Sequence, residues 1–151
     1  MMEISIDITS EALHINGEAL NWPLSAAKLQ EMLGEARILN NLFNYVYTWD
    51  KAGIYAYATT EESIESLILY MQHVDYLFTP TDLFAGNFSV NGKAYQYLDW
   101  KRENKSDREI AIETENYSIY VELDDTEEIT VIELTMPMVM DESDTFADFD
   151  Y

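Results

Sequence analysis

Two stretches of this chain place enough carboxylates close together to do chemistry. Between Glu122 and Glu128, five acids (Glu122, Asp124, Asp125, Glu127 and Glu128) fall within seven residues. From Asp141 to Tyr151, the acids Asp141, Glu142, Asp144, Asp148 and Asp150 are interleaved with Phe146, Phe149 and Tyr151, and no base interrupts them. Carboxylates at such spacing can hold a metal, run paired acid/base catalysis or grip a basic surface. The oxygen-rich calcium loop, with alternating acids before a glycine, is absent from both stretches. Crowded carboxylates in a turn repel one another unless a cation or a basic partner sits nearby. The first stretch therefore reads as a solvated, partner-facing loop. The second reads either as a solvated tail or as an acidic and aromatic grip on a basic, partly apolar surface.

The other reactive residue types are sparse. His14 and His73 are the only histidines, and neither has a companion at metal-ligand spacing. Both read as structural or surface residues. Cysteine is absent, which excludes disulfides and thiol catalysis and suits a reducing cytoplasm. No Ser/His/Asp arrangement is legible, so the reading is of a non-enzyme with no cofactor and no metal. Lys101, Arg102, Lys105 and Arg108 form a basic cluster that pairs more readily with the chain's own acids than with phosphate. The densest aromatic stretch, Thr48 to Tyr57, offers Trp49 and Asp50 as a turn anchor. A ligand pocket lined by Trp49, Tyr55 and Tyr57 is the alternative to core packing there.

The charge balance sets the field in which these groups act. The chain of 151 residues carries 29 acids against 8 bases, a formal net charge of -21. A field of that sign disfavours direct contact with nucleic acid or an anionic membrane and favours basic proteins. Disordered acidic chains are poor in aromatic residues; here the aromatic fraction is 13% and the hydrophobic fraction 48%. The expectation is one folded domain over residues 1–137 and an acidic C-terminal tail over 138–151. The N-terminus lacks a basic region and an apolar run, which argues against a signal peptide. No apolar run is long enough to span a membrane.

Positioning falls to strands and one helix. Ile4, Ile6 and Ile8 alternate with Ser5, Asp7 and Thr9, the period of a half-buried strand. Asn16-Gly17 and Asn91-Gly92 tolerate the positive φ of two-residue hairpin turns. Ser25 to Leu33 reads as a short helix, with Ser25 as N-cap, Leu24 and Leu29 at staple spacing, and Gly34 closing it. Further strands are expected over 45–49, 54–58, 64–71, 88–90, 94–97, 109–114, 118–123 and 129–136. The fold class is α+β, a mainly antiparallel sheet of seven to nine strands with the helix packed on one face.

An internal similarity runs through these strands. Ile54 to Met71 and Ile119 to Met136 align without a gap, and Ile54, Tyr55, Glu62, Ile64, Leu69 and Met71 recur as Ile119, Tyr120, Glu127, Ile129, Leu134 and Met136. Both return strands slip in phase, Ile64 against Leu67, Leu69 and Met71, and Ile129 and Val131 against Ile132, Leu134 and Met136, as a bulge at the same place would produce. Two similar hairpin units, or chance likeness between acidic hairpins, account for it.

Leu13-His14-Ile15-Asn16-Gly17, Leu33-Gly34-Glu35-Ala36-Arg37, Tyr47-Thr48-Trp49-Asp50, Gly53-Ile54-Tyr55-Ala56-Tyr57 and Phe84-Ala85-Gly86 before Val90-Asn91-Gly92-Lys93 together carry a resemblance. Residues 3 to 98 resemble a family of uncharacterised small bacterial domains similar to immunity-type proteins, which neutralise toxins exchanged between bacteria. The resemblance implies a compact α+β domain and carries no catalytic residue. With the charge, it implies a cytoplasmic inhibitor of a basic toxin or nuclease domain. The acidic loop and tail would bind, with Trp49, Phe146, Phe149 and Tyr151 as anchors. The alternative use of the same charge is a DNA mimic that blocks a nucleic-acid-binding or defence protein.

Overall fold

The computed structural model describes residues 4–40, 44–60, 62–72, 79–97, 117–126 and 128–135, together with the backbone of 109–113. The N-terminal strands are β1 (Ser5–Ile8), β2 (Leu13–Ile15), β3 (Glu18–Leu20) and the two-residue β4 (Leu24–Ser25), followed by helix α1 (Ala26–Leu33). Then come β5 (Arg37–Asn40), β6 (Tyr45–Trp49), β7 (Ile54–Ala58), β8 (Ser63–Tyr70), β9 (Asn87–Val90), β10 (Lys93–Ala94), β11 (Glu109–Glu113), β12 (Ser118–Leu123) and β13 (Ile129–Thr135). Among the described residues the fold is thus mostly antiparallel sheet with one short helix. It differs from the expected seven to nine strands by dividing thirteen strands between a five-stranded and an eight-stranded sheet.

The small sheet has the order β10-β9-β1-β2-β3. Its two hairpins turn at Asn16 and Gly17 (φ 52° and 86°) and at Asn91 and Gly92 (φ 51° and 81°), conformations that these two residue types adopt at least cost. The hairpins are joined by a parallel pairing of β1 with β9, from Ser5 opposite Asn87 to Ile8 opposite Val90. Alternation buries Ile6, Ile8, Leu13, Ile15, Phe88 and Val90 on one face and leaves Asp7, His14 and Ser89 side by side on the other.

The large sheet runs β11-β12-β13-β8-β7-β6-β5, with β4 beside the start of β8. Two of its hairpins share one register. In the first, Ile54 faces Leu69, Tyr57 faces Ser66 and Ala58 faces Ile64, so Glu65 is the extra residue of a bulge. In the second, Ile119 faces Leu134, Glu122 faces Val131 and Leu123 faces Ile129, so Thr130 is the extra residue. The bulge reverses the facing of the side chains that follow it.

Helix α1 is capped as its sequence dictates. The Ser25 hydroxyl accepts from the Lys28 N–H at 3.2 Å, and the Gly34 N–H, in a residue at φ 98°, donates to the Gln30 carbonyl at 2.9 Å. Eight residues form a marginal helix in water. Burial of Ala26, Leu29 and Leu33 against the sheets holds it, each leucine contributing roughly 1.5–3 kcal/mol. One apolar core joins this helix, the inner face of the small sheet and one face of the large sheet. On the opposite face of the large sheet a second cluster gathers Val46, Tyr55, Ile68 and Tyr70, with Leu39, Tyr57, Leu83 and Val131 against it. No described helix is long and apolar enough to cross a membrane.

Candidate functional site

The acidic residues of the β12–β13 connection sit on a turn that is fixed from within. The Asp124 carboxylate accepts from the Thr126 N–H at 2.8 Å, the Thr126 hydroxyl at 2.7 Å and the Glu128 N–H at 3.0 Å. The Asp124 N–H closes the loop on the Glu128 carbonyl at 2.9 Å. The Thr126 hydroxyl, then the Glu128 N–H, holds the Asp124 carboxyl below the usual carboxylate range, so it is ionised at neutral pH. The Asp124 negative charge is thus built into the turn by bonds within the loop itself. Asp125 and Glu128 remain exposed at this turn, as does Glu122 near the end of β12. Glu127 lies outside the described residues.

The bulge ties this tip to β8. The Thr130 carbonyl accepts from the Met71 and Gln72 N–H groups at 2.9 and 3.1 Å. The Gln72 side chain donates to the Ile129 carbonyl at 3.2 Å and to Glu128 at 3.4 Å. The Thr130 hydroxyl donates to the Glu122 carbonyl at 3.1 Å. Beside the bulge, on the outer face of the sheet, lies a cavity of about 210 Å³ walled by Tyr55, Tyr70, Thr79, Glu122, Asp124 and Thr130. Burial, followed by the neighbouring Tyr57, Glu133 and Glu122, pushes the Tyr55 phenol far above its ordinary range, so it is a neutral hydroxyl in a negative environment.

A larger cavity, of about 640 Å³, opens around the turn between β6 and β7. Leu33, Ala36, Trp49 and Ala52 supply its apolar wall, and Glu35, Lys51 and Asp82 its polar rim. Arg37 and Asp50 cross it as a two-pronged ion pair, with Nε to Oδ2 at 3.1 Å and Nη2 to Oδ1 at 3.0 Å. Asp50 also accepts from the Thr81 N–H at 3.2 Å, and its carbonyl accepts from the Asp82 N–H at 2.9 Å. Its carboxylate therefore fixes a distant loop, where the sequence suggested a local turn.

The two aromatic expectations separate here. Trp49 is only 3% exposed, and its indole N–H donates to the Gly34 carbonyl at 2.8 Å. It is a wall of the larger cavity and part of the core, not a protruding anchor. Tyr55 and Tyr57 do not share that cavity, because strand alternation turns them to the opposite face. Asp141, Glu142, Asp144, Phe146, Asp148, Phe149, Asp150 and Tyr151 lie outside the described residues, as do His73 and the basic cluster at Lys101, Arg102, Lys105 and Arg108. His14 stands on the outward face of the small sheet, its Nδ1 buried without a hydrogen-bond partner. Among the described residues no group of three or more His, Cys, Asp or Glu could hold a metal ion.

Tyr70, Thr79 and Thr130 were not legible as site residues. The one available signal was the phase slip along 129–136, which reflects the Thr130 bulge beside which the small cavity lies. A family model described as "Domain of unknown function (DUF7738)" matches residues 5–105, a span that ends before the β12–β13 tip. No curated protein and no solved structure matches the chain.

Proposed function

The chain belongs to the DUF7738 family, domains of unknown function, and we propose that it is an acidic protein-binding inhibitor of the immunity type that neutralises a basic toxin or nuclease domain. The observation that carries the reading is the preformed acidic tip: three internal bonds to Asp124 hold a turn that presents Glu122, Asp125 and Glu128 on a chain of net charge -21. A loop already in its bound shape loses little conformational entropy on association, and its charge steers a cationic partner toward it. The acidic and aromatic tail over 138–151 adds a second arm to the same interface. The matched registers around Glu65 and Thr130 support reading the two hairpins as copies of one unit, the second specialised at its tip. The site of action is the cytoplasm.

The test is association kinetics with the basic partner as a function of salt. Glu122→Gln with Asp125→Asn slows association and flattens its salt dependence. Unchanged kinetics remove the tip from the interface. Competition by duplex DNA for a partner that is not a nuclease would instead identify a DNA mimic.

A further inference from the structure

We propose that the cavity beside the Thr130 bulge is a receptor for the charged head of one lysine or arginine side chain presented by the partner; this rests on the preceding reading that the partner is basic. The cavity, at about 210 Å³, is smaller than the roughly 300 Å³ at which small-molecule sites begin, so its scale is that of a single side chain. Its chemistry selects a cation. Glu122, the ionised Asp124, Tyr55 and Tyr70 all line it. Carboxylates supply charge-assisted acceptors for an ammonium or guanidinium, and aromatic rings favour a desolvated cation over a neutral group.

The residue at the bulge is what separates this hairpin from its counterpart. In the first hairpin the extra residue, Glu65, turns its carboxylate back onto the Thr59 N–H at 3.2 Å and onto the Thr59 hydroxyl, closing its own tip. In the second, the extra residue is Thr130, whose hydroxyl is taken by the Glu122 carbonyl. Glu122 lines the cavity wall. The extra residue is satisfied within its own hairpin in both copies, and in the second it also lines the cavity.

Titration of the full chain, followed by amide NMR, tests this with arginine amide and lysine amide as probes. Citrulline amide, a near-isostere of arginine amide whose side chain is neutral, is the control. One or both cationic probes shift the amide signals of Glu122, Thr130 and Val131, and citrulline amide does not. Glu122→Gln weakens that binding about tenfold, as loss of a charged acceptor does, whereas Glu11→Gln, on the small sheet, leaves it unchanged. Equal response to citrulline amide, shifts confined to other surfaces, no response, or insensitivity to Glu122→Gln would each overturn the assignment. Such a result leaves capture of a basic protein by the chain untouched, so the pocket and the wider reading fail separately.

Discussion

The indole N–H of Trp49 donates to the carbonyl of Gly34 at 2.8 Å, joining the last residue of β6 to the residue that closes helix α1. Through this bond the helix end and the large sheet share a polar link. Trp49→Phe keeps most of the buried ring and removes the donor. It lowers the unfolding free energy by about 1–2 kcal/mol, read as a lower urea midpoint at unchanged slope. Affinity for a basic partner stays the same, since the ring is buried.

Gly53 has no room for a side chain. Its φ is 69°, and a Cβ there would lie 2.1 Å from the Phe84 backbone nitrogen. Its carbonyl also accepts from the Tyr70 N–H at 2.9 Å, so neither backbone can withdraw freely. Gly53→Ala destabilises by more than about 4 kcal/mol, seen as loss of a cooperative thermal transition. Gly17→Ala, with open space around the Cβ position, bears only the strain of its positive φ and still folds.

Asp50 gives the fold an acid-sensitive joint. Its carboxyl is held below the usual value of 3.8, chiefly by the Arg37 hydrogen bond. A carboxyl lowered in the folded state contributes stability above 3.8, and that contribution is lost as pH falls through the folded value. Asp50→Ala therefore costs about 1–2 kcal/mol at pH 7, with the pair's partial exposure keeping the cost small. The difference from the parent chain narrows below pH 4. Equilibrium denaturation at pH 7 and at successively lower pH measures the gap.

Asp124 separates structure from charge. Asparagine can accept the same turn hydrogen bonds, so Asp124→Asn keeps the tip and removes one negative charge. It slows association with a basic partner modestly and, because Asp124 lines the cation cavity, also speeds dissociation. Asp124→Ala releases three internal bonds, and amide exchange at Thr126 and Glu128 accelerates. Equal exchange in the two variants would contradict the role assigned to the carboxylate.

Local chemistry was readable where the chain acts on itself over a few residues. Ser25, Gly34 and the two Asn-Gly turns each satisfy a backbone demand that their own type announces, and the Ile4, Ile6 and Ile8 alternation names its buried face. The phase slips at Glu65 and Thr130 were visible because a bulge leaves a parity error in the apolar pattern. Long-range pairing leaves no such mark. Nothing in Ser5 to Ile8 indicates a parallel neighbour at Asn87 to Val90, and β5, with Ile38 half exposed, carries too little apolar alternation to read as a strand. The site divides in the same way. The carboxylates of the tip are evident from spacing, whereas the Tyr70 and Thr79 walls of the cavity depend on strand order and on a loop that returns to it.

The most direct test of the central claim is paired capture from lysate of the source cells. Tagged parent chain is compared with a Glu122→Gln, Asp125→Asn, Glu128→Gln variant, and both are washed at moderate salt and read by mass spectrometry. The account predicts one stoichiometric basic protein on the parent chain that is lost or strongly depleted on the variant. Equal recovery of that protein by both chains, or no specific basic protein on the parent, would contradict it.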